Sequence, residues 1–572
     1  MFVENVQQMA ERGDLDHRYY EYPGLVFHLL RPALALAPPG VGPYLAARAV
    51  VALFGVIGCA AVYLLGRALA GPTVGLLGAL LLAVSPVAVH TAHMVRPDVV
   101  LQVFVTLALL ALLRLGEPPH RDLVAGAAIG LATAVKFSGA FLLPSYVLRR
   151  ALSPGPRLRG AVVAAAGAAA VFLLTTPYAV IHAPEFVAGV QTQVGYHYEE
   201  SEGTSASPFG LVPAYVLAWP RALGLPAILL ALAGTVVALR ADARRWLPLL
   251  ALPLVTLAVM GSQRFLFSRH LLPSLGVPAL LAGLAAERLA RAVSRRFGLP
   301  PAVPSVVLGL LLAAVPLAHS VEYVRDIARP GTRDRALDWA QANVPDGARV
   351  LSTVERLGLD ERRIELTELG RLGPDDRPLP LEMDYVLATT ADDARALEGL
   401  VEQARFEPES AVSGPTVRAL VVPAALRPAY RLVAVVAGML SASENAAELA
   451  RACDGDTDTL WRTVDPQRPG DWLAVALGEP ARLARIELLL GPHGRFAARE
   501  LQVAVSPDGN TWTDVRSRPS RPPLDGQRPE AGKGSQVLVL TPPVRARFVR
   551  VGLRRSAAHR WGVAELRLFA VP

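Results

Sequence analysis

The sequence AARAVVALFGVIGCAAVYLLGRALA occupies residues 46–70, and TVGLLGALLLAVSPVAVH follows it at residues 73–90. Both are built mostly from Ala, Leu, Val and Gly, and each is close to the roughly 20 apolar residues that a helix needs to cross a bilayer. Similar runs recur to about residue 320, whereas the chain continues to residue 572 with a more polar sequence. With 52% hydrophobic residues, the composition predicts a membrane domain followed by soluble domains.

Breaker residues divide the apolar region into ten candidate spans. They lie at residues 46–70, 73–90, 99–115, 122–135, 138–148, 159–177, 224–240, 246–261, 270–290 and 303–320. The fourth and fifth are short, and we interpret them as a helical pair broken near Lys136. Irregular backbone is tolerated at membrane depth where protein or a water-filled cavity surrounds it.

Basic residues are distributed unevenly between alternate connections, with fourteen in one set and five in the other. Because basic loops near span ends remain cytoplasmic, we predict a multi-pass protein of the inner (plasma) membrane whose C-terminal half is extracytoplasmic. The same placement accounts for the net charge of +8. The arginines recur between apolar segments and form no stripe, so no nucleic-acid partner is predicted.

An even number of spans also places the N-terminal segment outside, although it has no signal-peptide pattern. We therefore expect the true start to lie upstream, with one more span preceding Met1. A miscount of the pair at residues 122–148 is the alternative explanation.

Six segments, most of them on the predicted outer side, carry a resemblance to a known family. They are FVENVQQMAERGDLDHRYYEYPGL (2–25), HMVRPDVVLQVF (93–104), ATAVKFSGAFLLP (132–144), TTPYAVIHAPEF (175–186), FSRHLLP (267–273) and GTRDRALDWAQANVPDGARV (331–350). Their order resembles that of the dolichyl-phosphate-mannose protein mannosyltransferase superfamily, which has the glycosyltransferase C fold. The resemblance implies transfer of a sugar from a polyprenyl phosphate to an acceptor hydroxyl, with a carboxylate as base and cations around the departing phosphate.

The resemblance assigns roles to charged residues at the outer ends of the spans. Asp98 matches the acidic position of the family's second outer loop and is a candidate catalytic residue; a helix cap is the alternative. Lys136, Arg269 and Arg96 are candidates for binding the donor phosphate. The alternatives are a snorkelling lysine for Lys136 and an interfacial anchor for Arg269.

Two further outer segments supply candidates for the substrate cavity. Tyr22 corresponds to the aromatic residue before the family's proline, and packing against a neighbouring span is the alternative. His197 and Tyr198 resemble a pair common in relatives, although a loop histidine is often only solvated. In the family an acidic residue, often an Asp-Glu pair, precedes the segment that begins here at Phe2. Glu4 is the acidic residue available there, so we also name it as a catalytic candidate.

The sequence predicts three domains. The first is the membrane domain at residues 1–320. Residues 321–433 alternate polar helical patterns with short apolar runs, which predicts a small extracytoplasmic α/β domain. Residues 434–572 contain many short β-like runs separated by Gly, Pro and Asp turns, which predicts an antiparallel β-sandwich.

Seven ordered motifs in residues 434–572 resemble the discoidin family, the coagulation-factor C-type jelly roll. They are Ser441-Ala442-Ser443, Asp454-Gly455-Asp456 with Thr459 and Trp461, Asp471-Trp472, Leu477-Gly478, Ser506-Pro507-Asp508-Gly509 with Trp512, Arg547-Phe548-Val549-Arg550-Val551, and Glu565. Many members of that family bind carbohydrate and a structural calcium. The resemblance places possible Ca²⁺ ligands at Asp454, Asp456, Thr459 and Glu565, where turn formation alone is the alternative. The sequence leaves a catalytic metal undetermined.

The sequence therefore favours a membrane glycosyltransferase that uses a polyprenyl-phosphate-linked sugar and a glycan, lipid or protein acceptor. The alternative is a catalytically inactive, membrane-anchored carbohydrate-binding protein. A transporter is disfavoured, because the charged residues gather at the outer span ends instead of at mid-membrane sites. The two cysteines, Cys59 and Cys453, lie in very different predicted environments, so no disulfide is expected.

Overall fold

A computed structural model describes residues 2–38, 41–115, 119–198, 209–354, 357–360, 363–410, 413–491, 496–498, 500–519, 534–557 and 559–572. The chain forms two compact units, Met1–Arg325 and Asp326–Pro572. The first unit is helical, and the described strands all lie in the second.

Fifteen α-helices begin within the described residues of the first unit. They are α1 (Phe2–Arg12), α2 (Leu25–Ala35), α3 (Pro43–Ala70), α4 (Pro72–Ala83), α5 (Pro86–Ala92), α6 (Pro97–Leu113), α7 (Pro119–Val135), α8 (Leu143–Ala151), α9 (Arg157–Thr175), α10 (Tyr178–Ile181), α11 (Ala183–Tyr198), α12 (Val212–Leu223), α13 (Leu225–Gly261), α14 (Leu272–Phe297) and α15 (Ala302–Ile327). Short 3-10 helices at Phe137–Leu142 and Ser268–Leu271 precede α8 and α14.

Helical residues occupy all ten of the predicted spans, but the spans differ in length. Within the described part of the chain, five helical segments are long and apolar enough to cross a membrane, or six if the pair α4 and α5, bent by 61°, counts as one span. Helices α6 and α7 have 17 residues each, which is about 25 Å of helix and slightly short of the hydrocarbon thickness. The number of crossings therefore stays a prediction.

Helix packing in the first unit depends on small residues. Helix α14 is central, because 89% of the apolar stretch within Ser268–Phe297 is buried. Helices α13 and α15 instead expose leucines such as Leu229, Leu232 and Leu310. Helices α7 and α9 approach so closely that a Cβ atom on Gly126 would lie 2.0 Å from the carbonyl oxygen of Ala164. Helix α13 contains the predicted spans 224–240 and 246–261, with non-helical backbone at Asp242 between them.

The second unit begins with a five-stranded sheet. Its strands are β1 (Arg349–Ser352), β2 (Glu365–Glu368), β3 (Tyr385–Thr389), β4 (Val401–Phe406) and β5 (Val417–Val421), in the order β2-β1-β3-β5-β4. Strand β1 is parallel to β2 and β3, whereas β5 is antiparallel to β3 and β4. Helix α16 (Thr332–Asn343) packs Ala336 and Ala340 into the core on one face, and α17 (Pro378–Leu381) contributes Leu379 to the other.

The remaining strands form an antiparallel β-sandwich. They are β6 (Arg431–Val433), β7 (Leu440–Ala442), β8 (Trp461–Arg462), β9 (Trp472–Gly491), β10 (Leu501–Ser506), β11 (Thr513–Val515), β12 (Ser517–Pro519), β13 (Gly534–Leu553), β14 (Gly562–Val563) and β15 (Glu565–Ala570). The main sheet has the order β11-β10-β13-β9-β15-β6. Alternate residues of β9, such as Leu473 and Val475, enter its core, as the period of two in a half-buried strand requires. Trp461 and Trp561 meet edge to face in that core, 5.4 Å apart.

The sheet β1–β5 and the sandwich share a core inside the second unit. Val539 of β13 is fully buried among Leu351, Val386 and Leu379 of the α/β region. Charged residues also join the two parts. The buried Asp376 carboxylate accepts hydrogen bonds from Arg518 on β12 and from Arg516 in the loop before that strand. The segments predicted as separate domains at residues 321–433 and 434–572 thus pack as one unit.

Candidate active site

The first element of the site is the N-terminus of α6. Pro97 occupies the first helical position, which its fixed φ angle suits, and Asp98 lies in the first turn, where the helix dipole stabilises a negative charge. The Asp98 side chain is only 2% exposed. A carboxylate buried to this extent needs cationic or hydrogen-bonding partners.

The helix break predicted near Lys136 is confirmed, and it brings Lys136 next to Asp98 as the first cationic partner. Helix α7 ends at Val135, and Lys136 has extended backbone (φ −157°, ψ 139°). The chain can turn back on α7 because Gly139 has no side chain: a Cβ atom there would lie 2.3 Å from the backbone of Ala132. The Lys136 ammonium donates a hydrogen bond of 2.8 Å to Oδ1 of Asp98.

The second partner comes from the turn that leads into α14. Nε of Arg269 lies 3.9 Å from Oδ2 of Asp98, and its guanidinium stacks over the Phe267 ring at 4.0 Å. Arg269 is 23% exposed and Lys136 is 14% exposed, so both cations are largely removed from water. Two cations therefore share one carboxylate, which leaves an excess positive charge at the site.

A small cavity opens beside this charged group. Its lining residues are Asp98, Val105, Lys136, Ser138, Phe141, Leu252, Thr256, Met260, His270 and Pro273. One part of the wall is charged and polar, and the other is apolar. Positive charge and apolar surface therefore lie side by side at this cavity.

Residues 23–181 match the family model of the dolichyl-phosphate-mannose-protein mannosyltransferases. We call residues 1–325 the mannosyltransferase-like unit. The matched range includes Asp98 and Lys136 and ends before Arg269. A second family model, the F5/8 type C domain, matches residues 439–566. Both resemblances predicted from sequence are thereby confirmed, and no curated protein matches the chain.

Solved structures with a similar fold include enzymes and binding modules. ArnT from Cupriavidus metallidurans bound to undecaprenyl phosphate is 18% identical, with a TM-score of 0.48 over 75% of this chain and 94% of that one. Arabinofuranosyltransferase AftD from Mycobacteria is 16% identical, with a TM-score of 0.37 over 96% of this chain and 54% of that one. CBM32-3 from a family 31 glycoside hydrolase of Clostridium perfringens is 20% identical, with a TM-score of 0.19 over 25% and 95%. The two family models and the observed helices and strands carry the fold assignment.

The other site residues predicted in the mannosyltransferase-like unit, Glu4, Tyr22 and Arg96, are not among those that line the cavity. Glu4 on α1 accepts a hydrogen bond of 2.8 Å from the Tyr44 hydroxyl and does not line the cavity. Tyr22 meets the Phe2 ring edge to face at 5.2 Å and packs against the core. Arg96 is the half-buried N-cap of α6. Burial raises the pKa of the nearby Tyr19 hydroxyl, and the positive charge of Arg96 opposes this increase.

The predicted pair at the end of α11 is only partly described. The backbone of His197 belongs to α11, but its side chain lies outside the described residues. Tyr198 is exposed, and its hydroxyl lies 3.2 Å from the Ser262 hydroxyl, just after α13.

Sequence reasoning missed His270 and Tyr215. His270 was visible as the neighbour of Arg269 in the segment FSRHLLP, but only the arginine was selected as a candidate. Tyr215 had no recognisable signal, since it belongs to a helix after the long outer loop and touches the site through tertiary contacts.

The predicted calcium ligands lie near one another in the second unit. The Thr459 hydroxyl lies 2.8 Å from Oδ2 of Asp454, 3.1 Å from the carbonyl oxygen of Asp456 and 3.4 Å from that of Arg451. Glu565 accepts a hydrogen bond from the neighbouring Gly455 N–H. A hydroxyl has one proton, so Thr459 can donate to only one of these oxygen atoms. The Asp456 carboxylate accepts the Asp458 N–H. Calcium binding at this turn stays a prediction, and hard oxygen atoms are the ligands that it would require.

Hydrogen bonds hold the pKa of Asp454 below its usual value, with the Asp456 N–H contributing most and the Thr459 hydroxyl next. Asp454 is therefore ionised at neutral pH, as a calcium ligand must be. Among the described residues, no three His, Cys, Asp or Glu side chains are arranged to hold a metal, so a calcium site here depends on carbonyl and hydroxyl oxygens.

Proposed function

We propose that the mannosyltransferase-like unit transfers a sugar from a polyprenyl-phosphate donor to an acceptor hydroxyl on the extracytoplasmic side of the inner membrane. One observation carries this proposal. Lys136 and Arg269, which are 133 positions apart in the sequence, converge on Asp98 at a cavity with an apolar wall. The family model that matches residues 23–181 supports the same class of reaction.

The chemistry requires stabilisation of the leaving group. When the acceptor oxygen bonds to the anomeric carbon, the bond from that carbon to the phosphate oxygen breaks, its electron pair remains on the phosphate, and the proton of the acceptor hydroxyl passes to the released phosphate. Lys136 and Arg269 stabilise this developing charge, more strongly in a partly buried site than in water. The planar guanidinium of Arg269 suits two phosphate oxygens, whereas Lys136 supplies a point charge.

In this proposal Asp98 holds the two cations in place. Its Oδ1 accepts the Lys136 N–H and its Oδ2 faces Arg269, so an acceptor hydroxyl would compete with two cations for its lone pairs. Without the carboxylate, the Lys136 and Arg269 side chains would repel one another and would no longer be held in fixed positions.

The β-sandwich extends the proposal to the acceptor. We propose that it binds carbohydrate and a structural calcium ion, with Asp454, Thr459, Glu565 and the carbonyl of Asp456 around the metal. The F5/8 type C match and the cluster of oxygen atoms support this assignment. A glycan acceptor is then favoured over a protein acceptor.

The test is transfer activity of the full chain in proteoliposomes, supplied with undecaprenyl-phosphate-linked sugars and envelope glycans. Lys136→Ala and Asp98→Asn should each lower the rate by about 100-fold, which corresponds to the loss of one preorganised charged contact. Arg221→Ala, an exposed arginine at the end of α12, should remain within about twofold of wild type, as expected for a surface substitution.

Wild-type rates in both site variants would refute the site. Absence of transfer by the wild-type chain, together with retained binding of glycans, would favour the non-catalytic carbohydrate-binding protein instead.

A further inference from the structure

Arg149, near the end of α8, donates hydrogen bonds to three backbone carbonyls with its three guanidinium nitrogens. Nε lies 3.1 Å from the Leu112 carbonyl oxygen, and Nη2 lies 3.3 Å from that of Leu113. Nη1 lies 3.2 Å from the carbonyl oxygen of Arg244 in α13. The Arg149 side chain is half-buried, and its guanidinium joins α8 to two other helices.

The helices themselves leave these carbonyls available. Leu112 and Leu113 belong to the last turn of α6, where carbonyl groups have no N–H partner within the helix. The carbonyl of Arg244 would normally accept the N–H of residue 248, one turn further along α13. Residue 248 is a proline, which has no N–H to donate. Pro248 therefore frees the carbonyl that Arg149 binds.

Two segments of nearly equal length run between Arg149 and the charged site. From Asp98 to Leu112, α6 advances about 21 Å at 1.5 Å per residue. From Lys136 to Arg149, the 3-10 helix and α8 together advance about 22 Å, at 2.0 Å and 1.5 Å per residue. Since Lys136 bonds to Asp98 and Arg149 bonds to Leu112, the two segments are fastened to one another at both ends.

Helix α13 supplies the third wall of the cavity. The part of α13 after its kink carries Leu252, Thr256 and Met260, which line the cavity. Their spacing of four residues places them on one face of the helix. Arg244 lies at the start of this part, so its bond to Arg149 fixes where the third wall begins relative to α8.

We propose that Arg149 is a positioning residue for the donor phosphate site. It holds α6, α8 and α13 in fixed positions relative to one another, and through them it sets the geometry of Lys136 and Asp98 at the cavity. The proposal rests on the proposed function and extends the site to the predicted cytoplasmic ends of these helices. A lysine would serve equally for topology, but its ammonium donates from one nitrogen and cannot bind three carbonyls in this arrangement.

The experiment separates positioning from stability by means of Pro248. Pro248→Ala supplies an N–H that can bond to the Arg244 carbonyl within α13, without connecting α13 to α8. The variants are Arg149→Ala, Arg149→Lys, Pro248→Ala and the double variant Arg149→Ala/Pro248→Ala. The matched control is Arg157→Ala, an exposed arginine that donates one hydrogen bond, to the Ala151 carbonyl at 3.1 Å. The unfolding temperature and the binding of undecaprenyl phosphate and of undecaprenol are measured on each full chain in nanodiscs.

Arg149→Ala and Arg149→Lys should each lower the unfolding temperature by several degrees and weaken undecaprenyl phosphate binding about tenfold. Undecaprenol binding should stay within about threefold of wild type, because apolar contacts depend less on direction than hydrogen bonds do. The double variant should regain part of the unfolding temperature of wild type but none of the lost phosphate affinity. Pro248→Ala alone and Arg157→Ala should bind both ligands as wild type does.

Different results overturn different claims. Wild-type phosphate affinity in Arg149→Ala or Arg149→Lys, or equal losses for the two ligands, would refute the positioning role. Recovery of phosphate affinity together with the unfolding temperature in the double variant would show that Arg149 contributes stability alone. If wild-type protein does not distinguish the phosphate from the alcohol, the proposed function fails. The unfolding temperatures of Arg149→Lys and Arg157→Ala then still decide whether the Arg149 guanidinium joins the three helices.

Discussion

Replacing Asp376 tests most directly which contacts hold the second unit together. Its side chain has no exposed surface, and it accepts hydrogen bonds from Arg516 Nη2 at 3.1 Å, Arg518 Nε at 3.0 Å and the Gly373 N–H at 2.8 Å. We predict that Asp376→Asn, which keeps the volume and removes the charge, weakens this contact. Its neighbour Asp375 is 62% exposed and, within the part of the chain that the structure describes, pairs with Arg516, which makes Asp375→Asn a matched control.

The magnitude follows from burial. Loss of one partner of a fully buried ion pair costs roughly 3–5 kcal/mol. Arg516 and Arg518 are 43% and 35% exposed and can be rehydrated, which lowers the cost to about 2 kcal/mol for Asp376→Asn. The exposed pair at Asp375 should contribute less than about 1 kcal/mol.

Hydrogen exchange of the full chain measures these local free energies. Asp376→Asn should raise the exchange rate of amides around residues 373–383 and 538–541 by about 30-fold, since about 1.4 kcal/mol corresponds to a factor of ten. Asp375→Asn should change it by less than about fivefold. Equal effects of the two variants, or no effect of either, would refute the argument.

The pKa of Asp376 adds a pH dependence. Burial raises the pKa, but the two arginines and the Gly373 N–H outweigh it and hold the pKa below its usual value. The stabilisation is therefore complete above the unfolded-state pKa near 4 and is lost as the pH falls through the lower folded-state value. After correction for the intrinsic pH dependence of amide exchange, the protection of these amides in wild type should fall on acidification in that range, and this component should be absent from Asp376→Asn.

Two further predictions concern the helix contact and the metal. Gly126→Ala should disrupt the packing of α7 against α9 and lower the thermal unfolding temperature of the detergent-solubilised chain by several degrees, because the new Cβ would lie 2.0 Å from backbone of Ala164. Gly42→Ala, with no atom within 4 Å of its Cβ position, should leave the unfolding temperature unchanged, and equal shifts would contradict the packing argument. Calcium should raise the unfolding temperature of the sandwich in wild type, and Asp454→Asn should abolish the increase while leaving the calcium-free value nearly unchanged; an increase that survives in Asp454→Asn would place calcium elsewhere.

The sequence predicted the elements that carry the site better than the contacts within it. Apolar runs and basic loops placed Asp98, Lys136 and Arg269 on one side of the membrane, and the break at Lys136 followed from an ionisable residue between two short spans. The ion pair was not predictable, because it depends on how far the chain after Gly139 turns back toward α6. The catalytic role predicted for Asp98 stays a prediction, and the ion pair supports the counter-ion role proposed for it above.

The second unit shows a different limit of sequence reasoning. Alternating apolar residues predicted the strands, and ordered motifs predicted the sandwich. Nothing in the local pattern paired Asp376 with Arg518, 142 residues later, or placed Val539 in the core of the α/β region. An aspartate in a Gly-Pro-Asp-Asp turn has the same sequence signal whether it is solvated or buried.

The shared core of the second unit determines how this chain can be recombined. A gene fusion that transplanted only residues 434–572 would separate Arg516 and Arg518 from Asp376 and expose Val539. It would also remove Arg485 from Glu382, leaving a carboxylate inside the α/β remnant without its counter-ion. The segment from Asp326 to Pro572 is therefore the unit to exchange, and moving the sandwich between proteins requires moving the α/β region with it.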